Sequence, residues 1–164
     1  MRRLVAYIAI ALLATLAFAP SAVAAPPEAQ TFTAILSGDN EVPARDTSAR
    51  GFAIFHLSED GTISYKLIVA NIDNVVASHI HIAPAGVNGP VVQFLFGPVP
   101  AAGGPSNGVL ATGTFTPTPA LLAAMSSGNA YVNVHTNDGV APTNTGPGDF
   151  PGGEVRGQIR TNGP

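Results

Sequence analysis

Cysteine is absent from all 164 positions, so no disulfide braces this chain and no thiolate serves as nucleophile or metal ligand. Charge is scarce as well, with only 10% of residues being Asp, Glu, Lys or Arg. Setting aside Arg2 and Arg3 from the seven basic residues leaves five against ten Asp and Glu, a net charge of −5 for the rest of the chain. That balance argues against nucleic acid and anionic membrane surfaces as partners, because phosphate binding needs clustered Lys and Arg. No serine lies in a nucleophile-elbow motif and the ten acids are scattered, so the sequence points away from an enzyme. What is abundant is Gly (18) and Pro (15), a composition suited to short strands joined by tight turns.

The N-terminus speaks to compartment. Arg2-Arg3 precedes the apolar run Leu4 to Ala19, followed by Ser21-Ala22-Val23-Ala24 with an A-x-A cleavage signature. Residues 1–24 read as a secretory signal peptide, with a mature start at Ala25. The run of about 16 apolar residues is short for the roughly 20 of a spanning helix, so membrane attachment is not expected after cleavage. The expected location is periplasmic or secreted. About 140 residues remain, enough for one domain with a single core.

Ala25 to Gln30 reads as a short lead-in to one domain over residues 31–164. Within it, apolar residues alternate with period two in runs bounded by Gly, Pro, Asn or Asp. Strands are predicted at about Thr31–Ser37, Gly51–Ser58, Thr62–Ala70, Val75–Ile82, Pro90–Phe96, Val109–Phe115, Ala130–Thr136 and Glu154–Thr161. These point to an all-β fold, an antiparallel Greek-key β-sandwich or barrel of about eight strands. Glu59-Asp60-Gly61 has the makings of a hairpin turn. One segment breaks the period: Thr118 to Gly128 carries a capping Thr, Pro119 at the first helical position, an alanine-rich middle and a terminal Gly. It predicts one short helix whose Leu121, Leu122 and Met125 close an open end of the fold. Gly97 to Asn107 and Asn137 to Gly152 resist strand assignment.

Three of the four histidines fall in strand-like runs, His79-Ile80-His81 and Val132-Asn133-Val134-His135. Residues two apart on a strand share a face at roughly 6 to 7 Å, so their side chains can converge on one ion. If Ile80, Ile82, Val132 and Val134 face the core, then His79, His81 and His135 lie on outer faces, open to solvent or to a surface cleft. Should strand order bring those faces together, the three imidazoles form a metal site, with copper expected and zinc the alternative. Such a site would weaken below about pH 6, and an open coordination position could activate water or oxygen. The plainer alternative is hydrogen-bonded structure, which is the expectation for His56. Glu154 could complete the metal shell or orient an imidazole, against a plainer role beside Arg156, itself expected in a cross-strand ion pair. Asn40, Glu41 and Pro43 are expected to fix backbone geometry.

Taken together, Leu36-Ser37-Gly38-Asp39-Asn40-Glu41-Val42-Pro43, Gly51-Phe52-Ala53, Asp60-Gly61, Tyr65, His79-Ile80-His81 and Gly86 to Val92 resemble the CHRD domain found in chordin and in secreted bacterial proteins. The likeness continues through Gly128 to Thr136 and Gly153 to Ile159. It implies an all-β extracytoplasmic module that binds rather than catalyses. Ala44 departs from the family's frequent second proline, and Asn137 to Gly152 is longer than the usual link, which bears on how open the face near His135 is. A weaker similarity to copper/zinc superoxide dismutases stops at the H-x-H pair, since four histidines cannot build that enzyme's bridged second site. Two functions therefore stand: an exported module binding a transition metal through surface histidines, or a metal-free module for an envelope or extracellular protein partner. In the second, Phe94, Phe96 or Tyr131 would be the contact points.

Overall fold

The computed structural model describes residues 28–162, so the signal-peptide reading of 1–24 lies outside the described residues. Nine strands and one helix follow in order: β1 Gln30–Ser37, β2 Arg50–Leu57, β3 Ile63–Asp73, β4 Val75–Ile82, β5 Val91–Phe96, β6 Pro105–Phe115, α1 Pro119–Ser126, β7 Ala130–Thr136, β8 Val155–Gln158 and β9 Arg160–Thr161. No helix among the described residues is long and apolar enough to cross a membrane.

Eight strands form one antiparallel sheet in the order β5-β4-β7-β8-β1-β2-β3-β6, with β9 paired to β1. The first strand sits beside the last, and β4 leaves β3 to pair with β7, which gives the crossed connectivity expected of a Greek key. The sheet curls almost shut. At the seam the Tyr65 hydroxyl on β3 donates to the Leu95 carbonyl of β5 at 2.7 Å.

Alternation places Phe32, Leu36, Phe55, Leu67, Ile80 and Val132 inside this barrel, all fully buried. Each such side chain is worth roughly 1.5 to 3 kcal/mol on burial. α1 begins where expected: Pro119 opens it and the Thr118 hydroxyl accepts from the Leu121 amide at 3.2 Å. Leu121 and Met125 are buried in the core and Leu122 is packed partly against it, so the helix closes one end of the barrel. The Glu59-Asp60-Gly61 turn is also present, with Gly61 at φ 83° and its amide donating to Ser58 at 2.9 Å.

Three departures from the expected strands exceed one residue, the first being that β3 ends at Asp73 rather than Ala70. β6 starts at Pro105 rather than Val109, because β3 runs on to Asp73 past register shifts and gives it more strand to pair with. The final run is split into β8 and β9, and Glu154 precedes both.

Candidate metal centre

β4 and β7 are adjacent and antiparallel, with Ala77 opposite His135, His79 opposite Asn133 and His81 opposite Tyr131. Because alternation sends residues two apart to one face, His79, His81, Tyr131, Asn133 and His135 all project from the outer side of this pair. The strand order, which spacing could not supply, thus brings the two histidine rows together. One ring nitrogen from each of His79, His81 and His135 lies within 4.8 Å of the others. This cluster could hold a metal ion. Tetrahedral ligation at a bond length near 2 Å sets nitrogens about 3.4 Å apart, so the triad stands wider than a closed site.

Hydrogen bonds fix which nitrogens are available. The Nδ1 of His81 lies 2.9 Å from the Gly89 carbonyl, and that of His135 lies 2.8 Å from the Pro151 carbonyl. A carbonyl only accepts, so both Nδ1 atoms carry the proton and both Nε2 atoms are left with lone pairs. Such second contacts set tautomer and ring orientation in metal sites. The Nε2 of His81 is buried with no partner. That of His135 sits 3.0 Å from His79 Nδ1, which donates to it in the absence of an ion. Metal ligation by His79 Nδ1 would place that ring's proton on Nε2.

The histidines are not on the open surface, contrary to expectation: His79 is 9% exposed, His81 7%, and only His135 is half-buried. Two segments cover the outer face. The stretch after β7 folds back on it, with the Phe150 carbonyl accepting from the Thr136 amide at 3.3 Å and the Glu154 amide donating to Val134 at 2.8 Å. The loop before β5 is held down by Arg156, whose guanidinium donates to the Pro84 and Val87 carbonyls and to Asn88. Phe94 of β5 packs edge-on against His79 at 4.5 Å between ring centres. Burial, followed by the neighbouring imidazoles of His135 and His81, pushes His79 down to about 4. Burial likewise lowers His81 and His135 from the usual imidazole value. All three are therefore neutral at pH 7.

Three other expectations change. Glu154 supports the loop instead of reaching toward the imidazoles: it is fully buried and accepts from Thr47 and Thr136 hydroxyls at 2.7 Å each and from the Gly148 amide at 2.9 Å. Arg156 bonds loop carbonyls rather than a carboxylate, and stacks 3.4 Å over the Tyr131 ring. Tyr131, expected as a contact point, is buried and stacks in turn on His81 at 4.8 Å. Phe94 does remain half open to solvent and Phe96 is half-buried. His56 is the hydrogen-bonded structural residue expected of it, 3.0 Å from the Thr31 hydroxyl.

Sequence reasoning gave Glu41 only a backbone role, in keeping with the turn found there, and gave the Asn133 side chain none. Glu41 follows a 3-10 turn over Gly38–Asn40 and is buried, with Oε1 unpartnered. Burial dominates over the nearby Arg156 and Arg45 charges and raises it to about 7. The signal available in the sequence for Asn133 was its position between Tyr131 and His135 on one strand face. A cleft of about 390 Å³ lies next to this region, lined by Glu41, Arg156, Gln158 and Arg160 among others and by none of the three histidines.

No curated protein and no solved structure shows a significant match to the chain. Among known families, the CHRD domain matches residues 32–159, from the first core residue of β1 through the turn between β8 and β9. With that match spanning most of the chain and the all-β fold in agreement, this protein belongs to the CHRD domain family.

Proposed function

We propose that the protein is an exported binding module, periplasmic or secreted, that coordinates a transition-metal ion through His79, His81 and His135. One observation carries this reading. Two backbone carbonyls hold Nδ1–H of His81 and His135, which leaves both Nε2 atoms with lone pairs in a thiol-free triad whose ring nitrogens gather within 4.8 Å. Neutral imidazoles without thiolates suit Cu(II) first and Zn(II) second. The binding role agrees with a family expected outside the cytoplasm.

Copper titration of the mature chain, followed by spin resonance and thermal melting, tests the proposal. Wild type is expected to show nitrogen-coordinated Cu(II) and to melt higher, since an ion bound only by the folded state stabilises it by about 2.7 kcal/mol at 100 times Kd. A His79→Ala, His81→Ala, His135→Ala triple variant that takes up copper as wild type does would end it.

A second reading, a metal-free module for an extracytoplasmic protein partner, draws on the outer apolar residues. Ile35 pairs with Phe52, Phe52 with Ile68 and Ile68 with Val109, which makes one apolar row across four strands. Ile35 in that row is 73% exposed. This reading expects no melting shift with Cu(II) or Zn(II) and a partner captured through that row.

A further inference from the structure

Two buried acceptors meet within the histidine cluster, and while His81 is neutral no donor serves either. Asn133 is 3% exposed and its Oδ1 has no hydrogen-bond partner; the same holds for Nε2 of His81, whose proton is on Nδ1. The Asn133 side chain lies beside His81, directly opposite His79 in the β4–β7 register and two residues from His135 on the same face. It is thus flanked by all three imidazoles. Burying an unmatched carbonyl oxygen costs about 1 to 3 kcal/mol, and a facing lone pair adds repulsion. A cation between them removes both penalties.

The opposite end of the amide is also accounted for. A Cβ added at Gly153 would run into Glu41 Oε1 and would lie 2.9 Å from Asn133 Nδ2, so carboxyl and amide nitrogen crowd the same bare Cα. Glu41 Oε1 is itself buried and unpartnered. With the amide nitrogen on the Gly153 side, the carbonyl oxygen is left on the side of His81.

Building on the metal-binding reading above, we infer that Asn133 supplies a fourth ligand through its amide oxygen, and that Glu41, whose carboxyl group packs at the nitrogen end of the amide without bonding it, is a positioning residue. The donor set becomes three imidazole nitrogens and one neutral oxygen. A site so filled presents no vacant position to a substrate, which is what a binding module requires. The oxygen also favours divalent copper or zinc over Cu(I), which prefers softer donors. Glu41 places a carboxyl group one residue behind the ligand, where it can offset charge that the neutral ligands leave uncompensated.

The test uses the full chain loaded with Co(II), Cu(II) or Zn(II), with affinities from chelator competition and coordination from the Co(II) absorption and Cu(II) spin-resonance spectra. Asn133→Leu is expected to weaken binding by at least about tenfold and to alter both spectra as water replaces the amide. Asn133→Asp keeps an oxygen in place and is expected to bind more tightly than wild type. Glu41→Gln is expected to weaken binding by about 10- to 100-fold while the spectra keep their form, as for other residues behind a ligand. Unchanged affinity and spectra in both Asn133 variants, alongside weakened binding in His79→Ala, would overturn the assignment of Asn133 alone. Wild-type binding in the triple histidine variant would instead remove the metal reading itself. Should Asn133→Leu fail to fold, the near-isosteric Asn133→Asp decides, and equal affinity with equal spectra there refutes the ligand role.

Discussion

His79 Nδ1 and His135 Nε2 lie 3.0 Å apart although 56 residues separate them in the chain. Antiparallel pairing of β4 with β7 makes the contact, and burial keeps both rings neutral. The metal-free protein thereby holds its imidazoles in the neutral state that ligation needs, with the His79 proton left to move from Nδ1 to Nε2.

Acid should cost the metal-free fold stability through these rings. His79 falls from 6.5 unfolded to about 4 folded, so between those values the unfolded chain binds more protons. Its contribution is fully present above pH 6.5 and drains as pH falls toward 4, on the order of 3 kcal/mol in all. Urea midpoints measured from pH 7.5 to 4 should drop across that window, and His79→Gln should flatten the slope. An equal slope in the variant would contradict the assignment.

Glu41 should act in the opposite sense. Its folded value of about 7 exceeds the 4.5 of an unburied Glu, so its contribution is fully present below pH 4.5 and is lost as pH rises through 7. Glu41→Gln is therefore expected to raise the melting temperature of the metal-free protein at pH 8 more than at pH 5. A larger gain at pH 5 would mean that attraction to Arg156 outweighs burial.

Replacing Glu154 by Ala strands the Thr47 and Thr136 hydroxyls and the Gly148 amide, all of which donate to its carboxyl group. The expected loss is about 3 to 5 kcal/mol, since each bond to a carboxylate is worth roughly 1.5 to 3 kcal/mol and water rescues part of it. Amide hydrogen exchange should accelerate first between residues 144 and 153, where the covering segment loses its anchor. Exchange that quickens evenly over the barrel would argue against a local role.

At the seam, Tyr65→Phe removes the hydroxyl that bridges β3 to the Leu95 carbonyl. A cost of about 1 kcal/mol is expected, with faster exchange at β5 amides and little change in β1 or β2. Chemical denaturation and exchange by magnetic resonance check both parts.

The alternation of apolar residues was enough to locate β4 and β7 to the residue, and Thr118-Pro119 with Gly128 was enough to bound α1. Those signals are local: a period of two, a capping hydroxyl, a glycine stop. Glu154 shows the limit, because alternation put it on a polar face but could not say that Thr47, Thr136 and Gly148 would be its partners. The same limit hid Glu41, whose burial depends on Gly153 offering a bare Cα more than a hundred residues later.

By itself, then, the sequence determined the strand segments, the absence of thiol chemistry, and which histidines share the parity of an outer face. Tertiary structure decided that those faces adjoin, that two loops cover them, and that backbone carbonyls choose the tautomers of His81 and His135. The division has a physical origin: side-chain direction follows from the local pleat, whereas neighbours across a sheet follow from strand order, and solvation follows from whatever long-range segment packs on top.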